Sequence, residues 1–327
     1  MIAFFRYDRC MERYFTFSAY CRQNFGRKLY RVCLDAGMTC PNRDGTLGSR
    51  GCIFCDEGGS GDFAIPYHGQ KLAPTDLIFN HQDAKEGDYI AYFQSYTNTY
   101  APIAKLRSLF SSALADPLFA GISIGTRPDC LGRDVLALLE ELKLEHPEKF
   151  IWCELGLQTI HEETAVWMRR GYALPVFDEV VHSLQRLDIP VIVHCILGFP
   201  QETETLAVQT MEHLNALKID GIKLQLLQYL AGTDLGAMYQ EDKEKFHVMS
   251  LEEYVHEIVQ CIGHLNPSIA IHRLTGDGNG EILLAPLWSR DKKRVLNLIR
   301  HEMKKENIIQ GSLEDKSNEC ICTEDQR

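Results

Sequence analysis

The 327-residue chain predicts a parallel α/β barrel or partial barrel. Three observations carry this. Apolar, β-branched runs of five to eight residues alternate with amphipathic stretches of ten or more, the pattern of parallel strands joined by crossover helices. At least six such units follow one another, in a chain long enough for one barrel-sized domain. A polar cluster follows each apolar run, so the chemistry-bearing side chains converge on one mouth.

The elements follow in order. Residues 10–27 predict an amphipathic helix whose aromatics, Tyr14, Phe15, Phe17 and Tyr20, pack against the barrel. Leu29 to Leu34 is a short buried strand, and Cys40 to Asp62 a loop rich in Gly, Asn, Asp and Ser. Residues 73–81 predict a helix entered at Pro74-Thr75-Asp76. Tyr89 to Tyr100 begins as a strand and ends polar, and Pro102 opens a helix running to about Ala115. Strands are expected at 121–129, 150–158, 190–198 and 221–227, with a short seventh at 269–272. Helices are expected at 133–145, 161–170, 175–187, 203–217 and 251–264. Gly276 to Gly280 is a loop able to lie over the mouth. Residues 291–305, rich in Lys and Arg, form a final surface helix, and beyond Gly311 the chain is expected to be disordered.

Net charge is −11, which argues against a generally basic nucleic-acid binder. The balance is uneven. Residues 1–31 hold seven basic residues (Arg6, Arg9, Arg13, Arg22, Arg27, Lys28, Arg31) against two acidic ones, leaving −16 on the remainder. This is either a solvated helix face or a patch for a polyanion. No secretory signal and no membrane-length apolar run is visible, so a cytoplasmic location with reduced thiols is expected. Cys33, Cys153 and Cys195 lie in apolar runs and read as small buried hydrophobes. Cys320 and Cys322 form a C-x-C in the tail, as metal ligands or frayed thiols.

The informative motif is Cys40, Cys52 and Cys55, at C-x11-C-x2-C on the loop after the first strand. Thiolates bind soft metal centres, and a flexible loop lets three sulfurs converge. Three is one fewer than a structural zinc site requires, with His68 the nearest candidate fourth ligand. With Phe54 just before the last cysteine, the loop resembles that of the radical S-adenosylmethionine (SAM) superfamily. It is similar to the YhcC/YtqA-type family, whose DAG-TCPNRDG-GC-FC-GSGDF pattern stands almost intact at Asp35–Phe63. Wider relatives are the Elongator catalytic subunit, the methylthiotransferases and the oxygen-independent coproporphyrinogen enzymes.

The resemblance implies an open, partial (β/α)6 TIM-type barrel over residues 29–290. Around it lie a basic N-terminal helical extension (1–28), a C-terminal helix (291–310) and a disordered tail (311–327). It implies a [4Fe–4S] cluster on Cys40, Cys52 and Cys55, with SAM on the open iron. Gln94, Thr97 and Asn98 stand where relatives hold the SAM amino group, though without their Gly-Gly-Glu. Thr126 and Arg127 belong to a Thr-Arg-Pro-Asp tip. Glu154, Gln158 and Arg170 match a pattern in which the Gln lies at the SAM ribose and the Arg pairs with its carboxylate; a guanidinium suits that task through two parallel hydrogen bonds. His194 stands where some relatives have an acidic ribose contact. Gly198 and Leu227 would border the adenine. Cys153, Cys195, Tyr96 and Tyr229 are candidates near a radical, with no catalytic residue assigned.

The implied activity is reductive cleavage of SAM to a 5′-deoxyadenosyl radical, with a flavodoxin or ferredoxin as reductant. The nearest branches modify tRNA, and remodelling of the wobble-uridine 5-substituent is the expected use. A small-molecule substrate is the alternative. From another class comes a zinc- or cluster-stabilised protein without catalysis that binds RNA or protein.

Overall fold

The computed structural model describes residues 12–59, 63–77, 84–276 and 280–314. In chain order the elements are α1 (Phe17–Phe25), β1 (Tyr30–Asp35), β2 (Ile65–Pro66), β3 (Tyr89–Phe93), α2 (Ile103–Ala115), β4 (Phe119–Thr126), α3 (Arg133–Glu145) and β5 (Phe150–Gln158). There follow α4 (Glu162–Trp167), α5 (Leu174–Arg186), β6 (Val191–Leu197), α6 (Glu204–Leu217), β7 (Gly221–Leu226), β8 (Tyr229–Leu230), α7 (Asp234–Glu241), α8 (Leu251–His264), β9 (Ala270–Arg273), β10 (Leu283–Ala285) and α9 (Lys292–Lys305). Eight parallel strands form one sheet in the order β2-β1-β3-β4-β5-β6-β7-β9. The sheet curls without closing: no ladder joins β9 to β1 or β2 among the described residues. This is the partial barrel expected.

Alternation along each strand separates two environments. Val32, Leu34, Phe93, Ile122, Ile124, Cys153, Leu155, Val193, Cys195 and Leu224 face outward into the sheet–helix core, against Leu106, Phe110, Leu139, Val181, Met211 and Ile258. Burying one such aliphatic or aromatic side chain contributes roughly 1.5–3 kcal/mol, so this layer dominates stability. The inward positions are polar or small between Ile196, under the cysteine loop, and an apolar base. There Ile90, Trp152 and Ile192 meet Cys21 and Leu29, with Phe17, Tyr20 and Phe25 of α1 packed against them. Helix α1 is thus an apolar plug under the barrel. Local signals agree with the helix ends: Ser250 and Glu253 form a capping box on α8, and Gly26 ends α1 at φ +69°.

Three expectations change. The first helix is shorter than 10–27 because Thr16 caps it through Ala19 N–H and pairs with Ile271 at the edge of β9. Phe15 O accepts from Ile271 N–H at 2.8 Å, so the chain ahead of the cap is extended. Residues 1–11 lie outside the described residues. At 73–81 the described part holds only a 3-10 turn, Pro74–Asp76, ended by extended Leu77; residues 78–83 lie outside. The sequence also gives no sign of β2, α7 and the antiparallel β8–β10 pair, which are short or lack periodicity. The tail beyond residue 314, with Cys320 and Cys322, lies outside the described residues, as does the middle of the 276–280 loop.

Candidate active site at the barrel mouth

The cysteine loop leaves the C-terminal end of β1 and is held by local turns. Cys40 O accepts from Arg43 N–H at 2.8 Å, and Asn42 O from Gly51 N–H at 2.7 Å. Its middle is anchored by packing: Ile53 and Phe54 join an apolar cluster with Met168, Ile196, Phe199, Leu227 and Leu235. Ile53 N–H donates to Met168 O at 3.2 Å, and Leu235 N–H to Ile53 O at 2.8 Å. The turn after α4 is the loop's buttress. Asn42 Nδ2 donates to Arg169 O at 2.8 Å and reaches Cys52 Sγ at 3.5 Å. Gly171, at φ +82°, lies so close that a Cβ there would stand 2.8 Å from Asn42 Oδ1.

Cys40, Cys52 and Cys55 are free thiols. Burial pushes the Cys52 and Cys55 thiols up, Cys55 to about 12; Arg127 and Asn42 oppose it at Cys52, and Arg43 at Cys55. They therefore keep their protons until a cationic centre displaces them. Among the described residues no group of three or more His, Cys, Asp or Glu side chains is arranged to hold a metal ion. Structural zinc gathers its ligands round one centre, whereas a four-iron cluster takes each thiolate on a separate iron, so its ligands stand apart. His68 is exposed beyond β2, its N–H bonded to Gln70, and does not complete a zinc site. Three soft donors with guanidinium neighbours fit an anionic iron–sulfur cluster better than zinc.

Each strand tip is held by its own contacts. Thr97 and Asn98 are buried, and Asn98 Nδ2 donates to Phe93, Ser95 and Gly125 carbonyls, stapling the tip of β3 to β4. Gln94 is half-buried, its N–H on Leu34 O. Thr126 Oγ1 shares a 2.6 Å hydrogen bond with Thr99, and Arg127 forms a two-pronged pair with Asp129 (2.9 and 2.7 Å). Gln158 stands at positive φ (+66°) on the rim. Arg170 is buried; it donates to Tyr172 O (3.0 Å), to Leu157 and Thr159 carbonyls, and to Glu162 (3.0 Å). A carboxylate reaching it must displace Glu162. Gly198, at φ +88°, faces Met249, whose Sδ a Cβ would meet at 2.9 Å. Leu227 sits in the cluster that anchors Phe54.

Below the rim lies a charged layer. Glu154 is fully buried; its Oε1 accepts from Ser123 Oγ at 2.8 Å, and its Oε2 from His194 Nε2 at 2.7 Å and from Lys223 Nζ. Lys223 also bonds Tyr92 OH at 3.2 Å. Arg31 donates to His272 Nδ1 at 2.7 Å across the gap between β1 and β9, with its Nε 3.9 Å from Glu154. Burial alone would raise the Glu154 carboxyl; Lys223, His194 and Arg31 outweigh it and hold it well below the usual range. Burial lowers Lys223, with Arg31 and Arg273 adding to the fall and Glu154 opposing it. Burial and Lys223 bring His194 down to about 4, so it is neutral and donates from Nε2.

Glu154 and His194 thus meet, as neither spacing nor motif required. Sequence reasoning missed Lys223, Arg31, Tyr92, Ser123 and His272. One signal was available: a lysine at the centre of the apolar run Gly221–Leu226 is costly to bury without a partner. Cys33 is corrected too. It is half-buried and faces this layer, where burial raises its thiol while Lys223, Arg273 and Arg31 oppose. Cys153 and Cys195 belong to the outward core, not to the mouth.

The sequence profile of the Radical SAM superfamily matches residues 45–214, and that of the Radical_SAM C-terminal domain residues 219–305. Protein YtqA of Bacillus subtilis (strain 168) is 40% identical over 309 residues, covering 94% of both chains. Protein YhcC of Escherichia coli (strain K12) is 34% identical over 272 residues, covering 83% of this chain and 85% of its own. Among solved structures, the archaeal Methanocaldococcus infernus Elp3 superposes with a TM-score of 0.57 at 15% identity. That match covers 68% of this chain and 55% of the other.

Proposed function

The chain belongs to the radical SAM superfamily, and on that premise we propose that it remodels the 5-substituent of wobble uridine in tRNA. As a member of this family it is an enzyme whose cofactors are a [4Fe–4S] cluster and SAM. The observation that carries the reading is the buttressed loop with three free thiols at the end of β1, above a polar barrel interior.

Cys40, Cys52 and Cys55 would hold the cluster. Bound there with SAM, the cluster would supply the electron for reductive cleavage of the sulfonium. The chain's own residues do the rest. Arg43 and Arg127 offset the charge of the thiolates. Phe54, Met168 and Leu227 shut water from the loop's inner face. The tips carrying Gln94, Thr97, Asn98, Thr126 and Gln158 bound the SAM seat, Arg170 takes its carboxylate in place of Glu162, and Gly198 keeps the β6 turn open. Glu154 and His194 form the floor beneath it. A flavodoxin or ferredoxin serves as reductant.

The basic residues suited to RNA lie at both ends of the described chain, with Arg22 and Lys28 exposed on and just after α1. Of the N-terminal basic residues, Arg6 and Arg9 lie outside the described residues. Arg27 pairs with Asp88 at 2.8 Å, Arg13 bonds Ile308 O, and Arg31 points into the barrel. Helix α9 also exposes Lys292, Lys293, Arg294, Arg300, Lys304 and Lys305, the last paired with Glu302 at 2.7 Å, while burying Val295, Ile299 and Met303. A cationic face on a chain of net charge −11 suits a phosphate backbone. Among the described residues no helix is long and apolar enough to cross a membrane.

The test is anaerobic reconstitution, reduction, addition of SAM, and assay of 5′-deoxyadenosine with and without bulk tRNA. Formation that rises with tRNA is expected. Formation indifferent to tRNA refutes the substrate and keeps the chemistry. Zinc in place of iron, with no formation, refutes both.

A further inference from the structure

We propose that the charged layer inside the barrel is a seat for a carboxylate carried by the substrate, with Arg31 as its anchoring cation. The inference rests on the tRNA reading for the identity of the molecule that bears the carboxylate.

Charge comes first. Arg31 and Lys223 are two cations facing one carboxylate, Glu154. Lys223 lies directly on Glu154, and His194 fills the same oxygen. Both histidines of the layer are held neutral, His194 by burial and Lys223, His272 by burial and Arg31. Arg273 stands beside Lys223 across the β7–β9 register and depresses it further. Once Glu154 and Lys223 cancel, the layer keeps the positive charge of Arg31, with Arg273 adding to it.

The second observation is an unmet donor. Arg31 Nε is buried and has no hydrogen-bond partner, its nearest carboxylate oxygen being 3.9 Å away. A buried guanidinium donor left unpaired is unfavourable, and an incoming anion satisfies it. Arg31 is otherwise well fixed: its guanidinium lies 4.0 Å over the Phe17 ring, and Nη2 is on His272. It is a preorganised fork at the seam where the sheet does not close.

The third is access. On the inward face Arg31, Cys33, Gly156, Gln158, His194 and Gln225 are each partly exposed, while their outward neighbours and the centre of the layer, Glu154, Lys223 and Ser123, are buried. Gly125 and Gly156 hold the next inward positions above Ser123 and Glu154, where a Cβ would crowd Phe93 O at 3.0 Å and Gln158 Nε2 at 2.9 Å. Glu154 lies four residues before the end of β5, and His194 three before the end of β6. At about 3.3 Å per residue the floor is ~10–13 Å below the rim. A backbone phosphate held at the rim does not reach that depth. A slender substituent projecting from a base does, which favours a carboxylate on the substituent over the phosphodiester.

The probes are 5-carboxymethyluridine and its uncharged isostere, 5-carbamoylmethyluridine. Their binding to the anaerobically reconstituted full chain with SAM is measured by calorimetry, and by fluorescence of Trp152, which lies beneath the layer. The carboxylate is expected to bind about tenfold more tightly than the amide, with its competition by acetate stronger than by phosphate. Arg31→Gln should remove the preference and Arg31→Lys restore part of it. Equal binding of the two nucleosides, or no binding of either, overturns the seat, and this holds on the wild-type chain even if the variants fail to fold. Stimulation of SAM cleavage by tRNA, measured alongside, separates the two claims. Stimulation without carboxylate preference removes the seat and keeps tRNA. Preference without stimulation keeps the seat and assigns it to a small carboxylate.

Discussion

Replacing Glu154 by Gln tests whether the barrel interior is an electrostatic unit. Glu154 and Lys223 are both essentially inaccessible, so the lysine has no water to fall back on. Removing one partner of a buried ion pair costs about 3–5 kcal/mol, because the remaining charge is left uncompensated. Two features bring this chain toward the lower end. Tyr92 OH still accepts from Lys223, and burial has already lowered the lysine's affinity for its proton. The sign with pH follows. In Glu154→Gln the folded-state lysine sits further below its unfolded value of about 10.4, so the unfolded chain binds more protons and stability recovers as pH rises. Lys223 in the wild type is lowered to about 7, so the two chains respond differently only below that pH; urea unfolding of the apo-protein should show a loss of about 3 kcal/mol at pH 6, smaller at pH 8. The double variant Glu154→Gln/Lys223→Met should regain most of it, since a buried pair replaced by apolar groups is often near neutral. A single variant within about 1 kcal/mol of wild type at both pH values would refute the reasoning. So would a double variant no more stable than the single.

Further outcomes follow from the same geometry. His194 is held at about 4, below its unfolded value near 6.5, so its contribution is full above that value and lost as pH falls toward 4. Wild type should lose about 2 kcal/mol between pH 7 and pH 5 from this group, and His194→Asn should flatten that part of the urea-derived curve. Gly171→Ala puts a side chain at φ +82° and 2.8 Å from Asn42 Oδ1; about 1–3 kcal/mol of strain should appear as lowered iron occupancy after reconstitution. Ala at Cys40, Cys52 or Cys55 should abolish iron binding with little change in far-ultraviolet circular dichroism, as the loop is held by Ile53, Phe54 and Asn42. Lys304→Glu with Lys305→Glu on α9 should weaken tRNA binding alike across sequences and lower the salt slope by about 1 for each phosphate no longer neutralised.

Much of the architecture was legible in the chain. Helix α3 at Arg133–Glu145, strand β5 at Phe150–Gln158 and helix α8 at Leu251–His264 fall where periodicity and caps put them, because long regular elements repeat their signal many times. The cysteine loop was legible as well, since three thiols at fixed spacing on a Gly-rich segment have few other uses. Short elements were not: a two-residue strand such as β8 carries no period to read.

What tertiary structure alone decided is which side chains meet. Alternation says that Lys223, His194 and Glu154 each share a face with their i±2 neighbours, but not whether that face is the barrel's interior. Register and curl settle it, placing Gly156 against His194 and His194 against Lys223 so that three strands aim their polar groups at one point. The same holds for Arg31. In sequence it is one of a run of basic residues near the terminus; in the fold, β1 turns it inward across the unclosed seam to His272, 241 positions away. A charge's meaning depends on what the folded chain removes from around it, and that is water.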